Sequence, residues 1–100
     1  MKNSFSEKCY LLIQRVPFGK VVTYKSLASK LNSKAYRAVG NAMNKNKTLI
    51  KIPCHRVIRS NGQVGEYVLG KKKKIELLQK EGIKIVNGKI NLKEYEFKFR

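Results

Sequence analysis

Apolar residues Phe5, Cys9, Leu12, Ile13 and Val16 recur three and four positions apart, so residues 4–15 read as an amphipathic helix that ends before Pro17. Pro17-Phe18-Gly19-Lys20 makes a turn, and Val21-Val22 a short extended piece. Thr23 can cap a helix over residues 24–31, with Leu27, Ala28 and Leu31 facing inward. Asn32-Ser33 breaks it, and Ser33 can cap a second helix from Lys34 to about Lys45. At 100° per residue, Tyr36, Val39, Gly40 and Met43 share one side of that helix, while Lys34, Arg37, Ala38, Asn41 and Ala42 share the other. Two short helices joined by a tight polar turn form a helix-turn-helix. The outer face of the second is small and basic with one long side chain, suited to close approach to something negative.

Residues 50–52 read as a strand leading into a bend at Pro53, with Val57-Ile58 extended beyond it. Ser60-Asn61-Gly62 signals a turn, and residues 63–67 a loop. Ile75, Leu77 and Leu78 mark a helix that starts after Gly70 and stops at Gly82, its first turn made of Lys71 to Lys74. Four cations at a helix N-terminus oppose the macrodipole by up to about 1 kcal/mol each before screening. Either a solvated face accepts that cost or phosphates lie nearby. Ile83, Ile85, Ile90 and Leu92 flank Asn87-Gly88 as a β-hairpin, and the tail over residues 93–100 mixes aromatics and charges without a legible role. The expected architecture is mainly α with a small β component. One domain over residues 1–100 has a winged-helix-like helix-turn-helix, followed by the hairpin and tail over 83–100.

Composition adds a partner class. The chain of 100 residues carries a net charge of +17 with 42% apolar residues, enough for one modest core. All six acids are glutamates, and none falls between Glu7 and Glu66, an interval holding twelve Lys or Arg. Lysine-rich solvation explains some of that excess, but not 58 consecutive residues without an acid; the imbalance favours a polyanion, most simply nucleic acid. No apolar run approaches a membrane span, no stretch joins a long apolar face to a basic one, and no signal-peptide pattern appears. An intracellular protein, cytoplasmic or nuclear, is expected.

The candidate chemistry lies in Ile52-Pro53-Cys54-His55-Arg56-Val57-Ile58, which sets a cysteine beside the only histidine. A thiol with a pKa of about 8.5 is mostly protonated at neutral pH, and an imidazole can accept or relay its proton. With one His, two distant Cys and no Asp, no four-ligand zinc set of ordinary spacing exists, so neither metal nor cofactor is expected. Cys9, on the apolar face of the first helix, reads as a buried structural thiol.

Pro53-Cys54-His55-Arg56-Val57-Ile58, preceded by Arg37-Ala38-Val39-Gly40 and Tyr24, resembles the active-site signature of the O6-alkylguanine-DNA alkyltransferases. The resemblance runs from about Phe5 to Gly82 and implies the family's C-terminal catalytic domain. It implies single-turnover transfer of an alkyl group from O6-alkylguanine, flipped out of double-stranded DNA, onto the protein's own Cys54, with no cofactor. A monomer bound in the minor groove through the second helix is the expected form.

By the same resemblance Cys54, His55 and Glu81 belong to a hydrogen-bonded relay that ionises the thiol, so a lowered thiol pKa is expected. Tyr24 would donate to the departing guanine, on which negative charge develops. Asn46, Pro53 and Arg56 would support the site. Tyr67, Gly65 and the backbone of Val57 and Val68 would wall the base pocket. Arg37 would enter the stack, with Lys34, Ala35, Ala38, Gly40 and Asn41 along the DNA. Three features depart from the family: no N-terminal α/β domain is expected; Val68-Leu69-Gly70 stands where Ser-Gly-Gly is common; and one residue is missing between the two helices. Two alternatives remain. In a lesion-binding alkyltransferase-like protein the cysteine is replaced, commonly by tryptophan. A helix-turn-helix regulator would present polar base-reading side chains.

Overall fold

Ser4 begins the fold by capping: its hydroxyl accepts from the Glu7 amide while the Glu7 carboxylate accepts from its own, both at 3.1 Å. The computed structural model describes residues 4–32, 36–46 and 52–99. Helix α1 runs Phe5–Ile13 and buries Cys9, Leu12 and Ile13. It is shorter than its apolar spacing predicts, because Arg15 and Val16 turn back onto the carbonyls of Leu12 and Ile13 ahead of Pro17. Strand β1 (Val22–Thr23) feeds directly into α2 (Tyr24–Lys30), where the Thr23 hydroxyl caps the Ser26 amide at 3.0 Å. Helix α3 is described from Tyr36 to Lys45. The expected Ser33 cap and the strand residue Ile50 lie outside the described residues.

One side chain on α3 departs from the periodicity. Ala42, expected on the outer face, is 1% exposed and lies in the core with Val39 and Met43. The cause is α1, which crosses here closely enough for the Tyr10 hydroxyl to donate to the Ala42 carbonyl at 2.6 Å. A methyl group is small enough to sit under that crossing.

Cys54–Arg56 form a single 3-10 turn that runs into β2 (Val57–Ile58). Strands β1 and β2 pair in parallel, Val22 with Val57 and Thr23 with Ile58. Successive strand residues point to opposite sides, and this pair therefore divides the interior in two. Val22 and Val57 join the cluster of α1, α2 and α3, which includes both cysteines and Tyr67. Val21 and Ile58 join a second cluster with Val64, Leu78, Ile83 and Ile90. Helix α4 (Lys71–Lys80) supplies Leu78 to that second cluster. The hairpin of β3 (Ile85–Val86) and β4 (Lys89–Ile90) closes it. Asn87 and Gly88 at its tip both take positive φ, as a two-residue hairpin turn requires.

The tail is a strap. After α5 (Leu92–Tyr95), capped by Asn91, the Phe97 amide donates to the Val21 carbonyl at 2.7 Å and the Val21 amide to the Tyr95 carbonyl at 2.9 Å. Phe97 and Phe99 meet edge to face and pack against the first cluster, with Arg15 over the Phe99 ring. Among the described residues the architecture is mainly helical with two small sheets. Among the described residues, no helix is long and apolar enough to cross a membrane.

Candidate active site

Pro53 sets the turn on which the thiol sits. The Cys54 amide reaches back to the Ile52 carbonyl at 2.8 Å, and the Arg56 amide to that of Pro53 at 2.9 Å. The resulting turn directs Cys54 inward, 3% exposed, where the extended reading had a bend presenting the sulfur. Asn46, also buried, uses its side-chain amide twice: it donates to the Ile52 carbonyl at 2.9 Å and to Cys54 Sγ at 3.3 Å. One residue thereby ties the incoming chain to the thiol and offers the sulfur a proton donor.

His55 points the other way along the same turn. Its Nε2 lies 2.7 Å from Glu81 Oε2. Burial holds the imidazole pKa below its usual value, against the opposing pull of Glu81. Burial alone would raise the Glu81 pKa, but hydrogen bonds from Arg56, His55 and the Gly19 amide outweigh it, so the carboxylate is held below its ordinary range. An ionised carboxylate can only accept, so a neutral His55 carries its proton on Nε2, which leaves Nδ1 with its lone pair. That atom is buried and has no partner among the described residues. It is a buried base, able to accept a proton on that nitrogen.

Arg56 holds this arrangement in place. Its guanidinium bonds both oxygens of Glu81 at 2.9–3.1 Å and the Val16 carbonyl at 2.9 Å. Phe18, 68% exposed, lies under it.

Lys74 was legible only as part of a basic first turn, to be solvated or turned toward phosphate. It is instead fully buried. Its ammonium donates to the carbonyls of Val57 at 2.6 Å and Glu66 at 2.9 Å, and stands 5.8 Å from the centre of the Tyr24 ring. Burial lowers its pKa to about 7. The missed signal is spacing: positions 74, 78 and 81 share one face of α4 at i, i+4 and i+7, the face of Leu78. Of the other three lysines of that turn, Lys71 and Lys72 are exposed and Lys73 is half-buried.

The expectation of a lowered thiol pKa is corrected here. Burial raises the Cys54 pKa, and the Asn46 bond and the Lys74 charge pull it back only in part. Tyr67 is buried beside the site with its ring edge-on to His55, and burial pushes its hydroxyl up to about 12. Val57 is buried with its carbonyl already bonded to Lys74. Val68, by contrast, is 44% exposed on a turn closed by the Gly70 amide and the Tyr67 carbonyl. Gly65 has φ +80, and a Cβ there would meet the Arg59 Cγ at 3.4 Å and both the Lys74 ammonium and the Tyr24 ring at 3.7 Å.

Beyond Tyr24 a groove of about 540 Å³ opens, lined by Arg37, Gly40, Asn41 and Asn44 of α3 and by Arg59 and Glu66 of the loop opposite. Arg37 and Asn41 are exposed, and Ala38 and Gly40 are half-buried. Lys34 and Ala35 lie outside the described residues. The structure thus brings Cys54, His55, Glu81, Asn46, Arg56 and Tyr67 around one turn, with Tyr24 between that turn and the groove, and leaves the Val68 side chain outside.

The comparisons bear on what such a turn belongs to. The chain is 52% identical over 73 residues to the methylated-DNA–protein-cysteine methyltransferase of Saccharolobus islandicus, covering 73% of this chain and 47% of that protein. It is 45% identical over 89 residues to the bifunctional methyltransferase/endonuclease of Picrophilus torridus, 88% of this chain and 30% of the other. The chain therefore spans less than half the length of either curated relative. Its fold superposes on S. pombe Atl1, solved in complex with damaged DNA containing O6-carboxymethylguanine, with a TM-score of 0.86 at 30% identity, over 99% of this chain and 100% of that one. Residues 4–83 match the family model of the 6-O-methylguanine DNA methyltransferase DNA-binding domain, and the chain belongs to that family.

Proposed function

We propose that this chain repairs DNA by moving an alkyl group from O6 of guanine onto Cys54, once per molecule. The observation that carries this reading is the thiol itself: it accepts a hydrogen bond from Asn46 and shares its turn with a neutral imidazole held by Glu81. In the reaction the thiol gives its proton to the Nδ1 side of His55, and the sulfur attacks the alkyl carbon. The S–C bond forms as the C–O6 bond breaks, and the bonding pair leaves with guanine. Tyr24 stabilises the charge developing there, and the proton held by His55 neutralises it. The product is a thioether, which no group of the site is placed to hydrolyse.

Double-stranded DNA would lie along α3 in the minor groove, with the lesion extruded toward Tyr24 because its reacting carbon is out of reach inside a stacked duplex. Arg37, exposed on α3, would fill the gap. The chain would act as a monomeric single domain in a reducing compartment with access to DNA.

A second reading has its own support: the full-length likeness to Atl1 favours lesion binding without transfer. Cys54, in a chain with no tryptophan, favours transfer. Intact-mass measurement after incubation with duplex DNA containing O6-methylguanine separates the two. A gain of one methyl group, mapped to Cys54 and not Cys9, is expected. Tight binding to the lesion with no change of mass would make the chain a lesion-binding protein.

A further inference from the structure

The groove beyond Tyr24 has two walls, and α3 is only one of them. The other carries Arg59, the first residue after β2. Its backbone is fixed: the amide donates to the Gln63 carbonyl at 3.0 Å, and the carbonyl accepts from the Gly62 amide at 2.9 Å. Its stem lies over Gly65, at the point where the Lys74 ammonium and the Tyr24 ring also converge.

The two arginines of this segment are used differently. Arg56 commits its guanidinium to Glu81 and the Val16 carbonyl. The Arg59 guanidinium has no carboxylate within ion-pair distance and no acceptor among the described residues, although Glu66 lines the same wall. A planar fork of donors fixed at its root and left unbonded suits an oxyanion arriving from outside. A base that reaches Tyr24 brings its own phosphodiester to this wall. Arg37, on the opposite wall, would be occupied in the base stack.

We propose that Arg59 binds the phosphodiester of the extruded nucleotide, so that the groove grips the flipped state and not the undisturbed duplex. This rests on the reading that the lesion is flipped toward Tyr24. The contact is a positioning one, since Arg59 would touch the backbone of the substrate and not the reacting atoms.

The test is Arg59→Ala against wild type in single-turnover alkyl transfer, from a duplex carrying O6-benzylguanine and from free O6-benzylguanine, which has no phosphate. Loss of one charge-assisted contact should slow the duplex reaction about tenfold or more. The free base should react at the wild-type rate, and Arg59→Lys should recover part of the duplex rate. Equal slowing on both substrates would mean that Arg59 acts through Tyr24 or Lys74, and no slowing on the duplex would remove it altogether; either result overturns the proposal. Equilibrium binding, followed by fluorescence anisotropy over a salt series, decides the matter even if the wild type transfers nothing. Arg59→Ala should lower the salt slope by about one for the lesion duplex and leave it unchanged for undamaged duplex. A slope lowered equally on both would make Arg59 an ordinary backbone contact and sink the proposal.

Discussion

Both cysteines of this chain are buried in the same apolar cluster, yet their surroundings differ in kind. Cys9 is fully buried on α1, and burial alone pushes its pKa up to about 11. Cys54 meets the same penalty, but an amide donor from Asn46 and the ammonium of Lys74 act against it. A thiolate is disfavoured wherever apolar atoms replace water. What separates Cys54 from an ordinary core thiol here is therefore the polar groups folded in beside it, each of which must itself be held in place. Glu81 illustrates the cost of holding them: four donor groups from Gly19, His55 and Arg56 converge on one carboxylate.

The sharpest way to break the contrast is at that carboxylate. Glu81→Ala leaves Arg56 with only the Val16 carbonyl among its present acceptors and frees the tautomer of His55. Transfer should slow about 100-fold or more, the scale of a positioned acid–base group, in single-turnover assays. Loss of one partner from so enclosed a pair should also cost roughly 3 kcal/mol, read by urea unfolding.

The pH dependence has a defined sign. Glu81 and His55 both have folded pKa values below their unfolded ones of about 4.3 and 6.5. Each contributes stability that is complete above its unfolded pKa and lost as pH falls through the folded value. Stability should therefore decline on acidification below about pH 6.5, and Glu81→Ala should flatten the part of that decline below about pH 4.3.

A smaller effect is expected at Lys74. Its charge favours the Cys54 thiolate, so Lys74→Met should shift the pH profile of iodoacetamide alkylation at Cys54 upward, toward that of Cys9. The carbonyls of Val57, buried, and Glu66, part-buried, would lose their donor as well, at about 1–3 kcal/mol for the buried one. An unchanged alkylation profile would show that Lys74 supports the loop and not the thiol.

Cys9→Ala should do least. A small cavity under α1 should cost about 1 kcal/mol, with the rate of transfer unchanged. A slowed transfer in this variant would erase the distinction between the two thiols.

Much of this molecule was legible in its local order. Apolar spacing places α1 and α2, Thr23 reads as a cap, and Asn87-Gly88 reads as a hairpin turn, because each depends on interactions within a few residues. The adjacency of Cys54 and His55 is covalent and needs no fold to be seen. What no local pattern carries is the environment that gives those groups their properties. Ala42 is buried only because α1 crosses α3 there, and the tail acquires a role only where Phe97 pairs with Val21. Lys74 read as one of four lysines turned to solvent or phosphate until α4 turned its inner face toward the carbonyls of Val57 and Glu66. Glu81 stands 26 residues from His55 along the chain, and only the seating of α4 brings their side chains to 2.7 Å. Desolvation and long-range hydrogen bonding are properties of enclosure, so the tertiary structure alone decides which of the charged residues touch the chemistry.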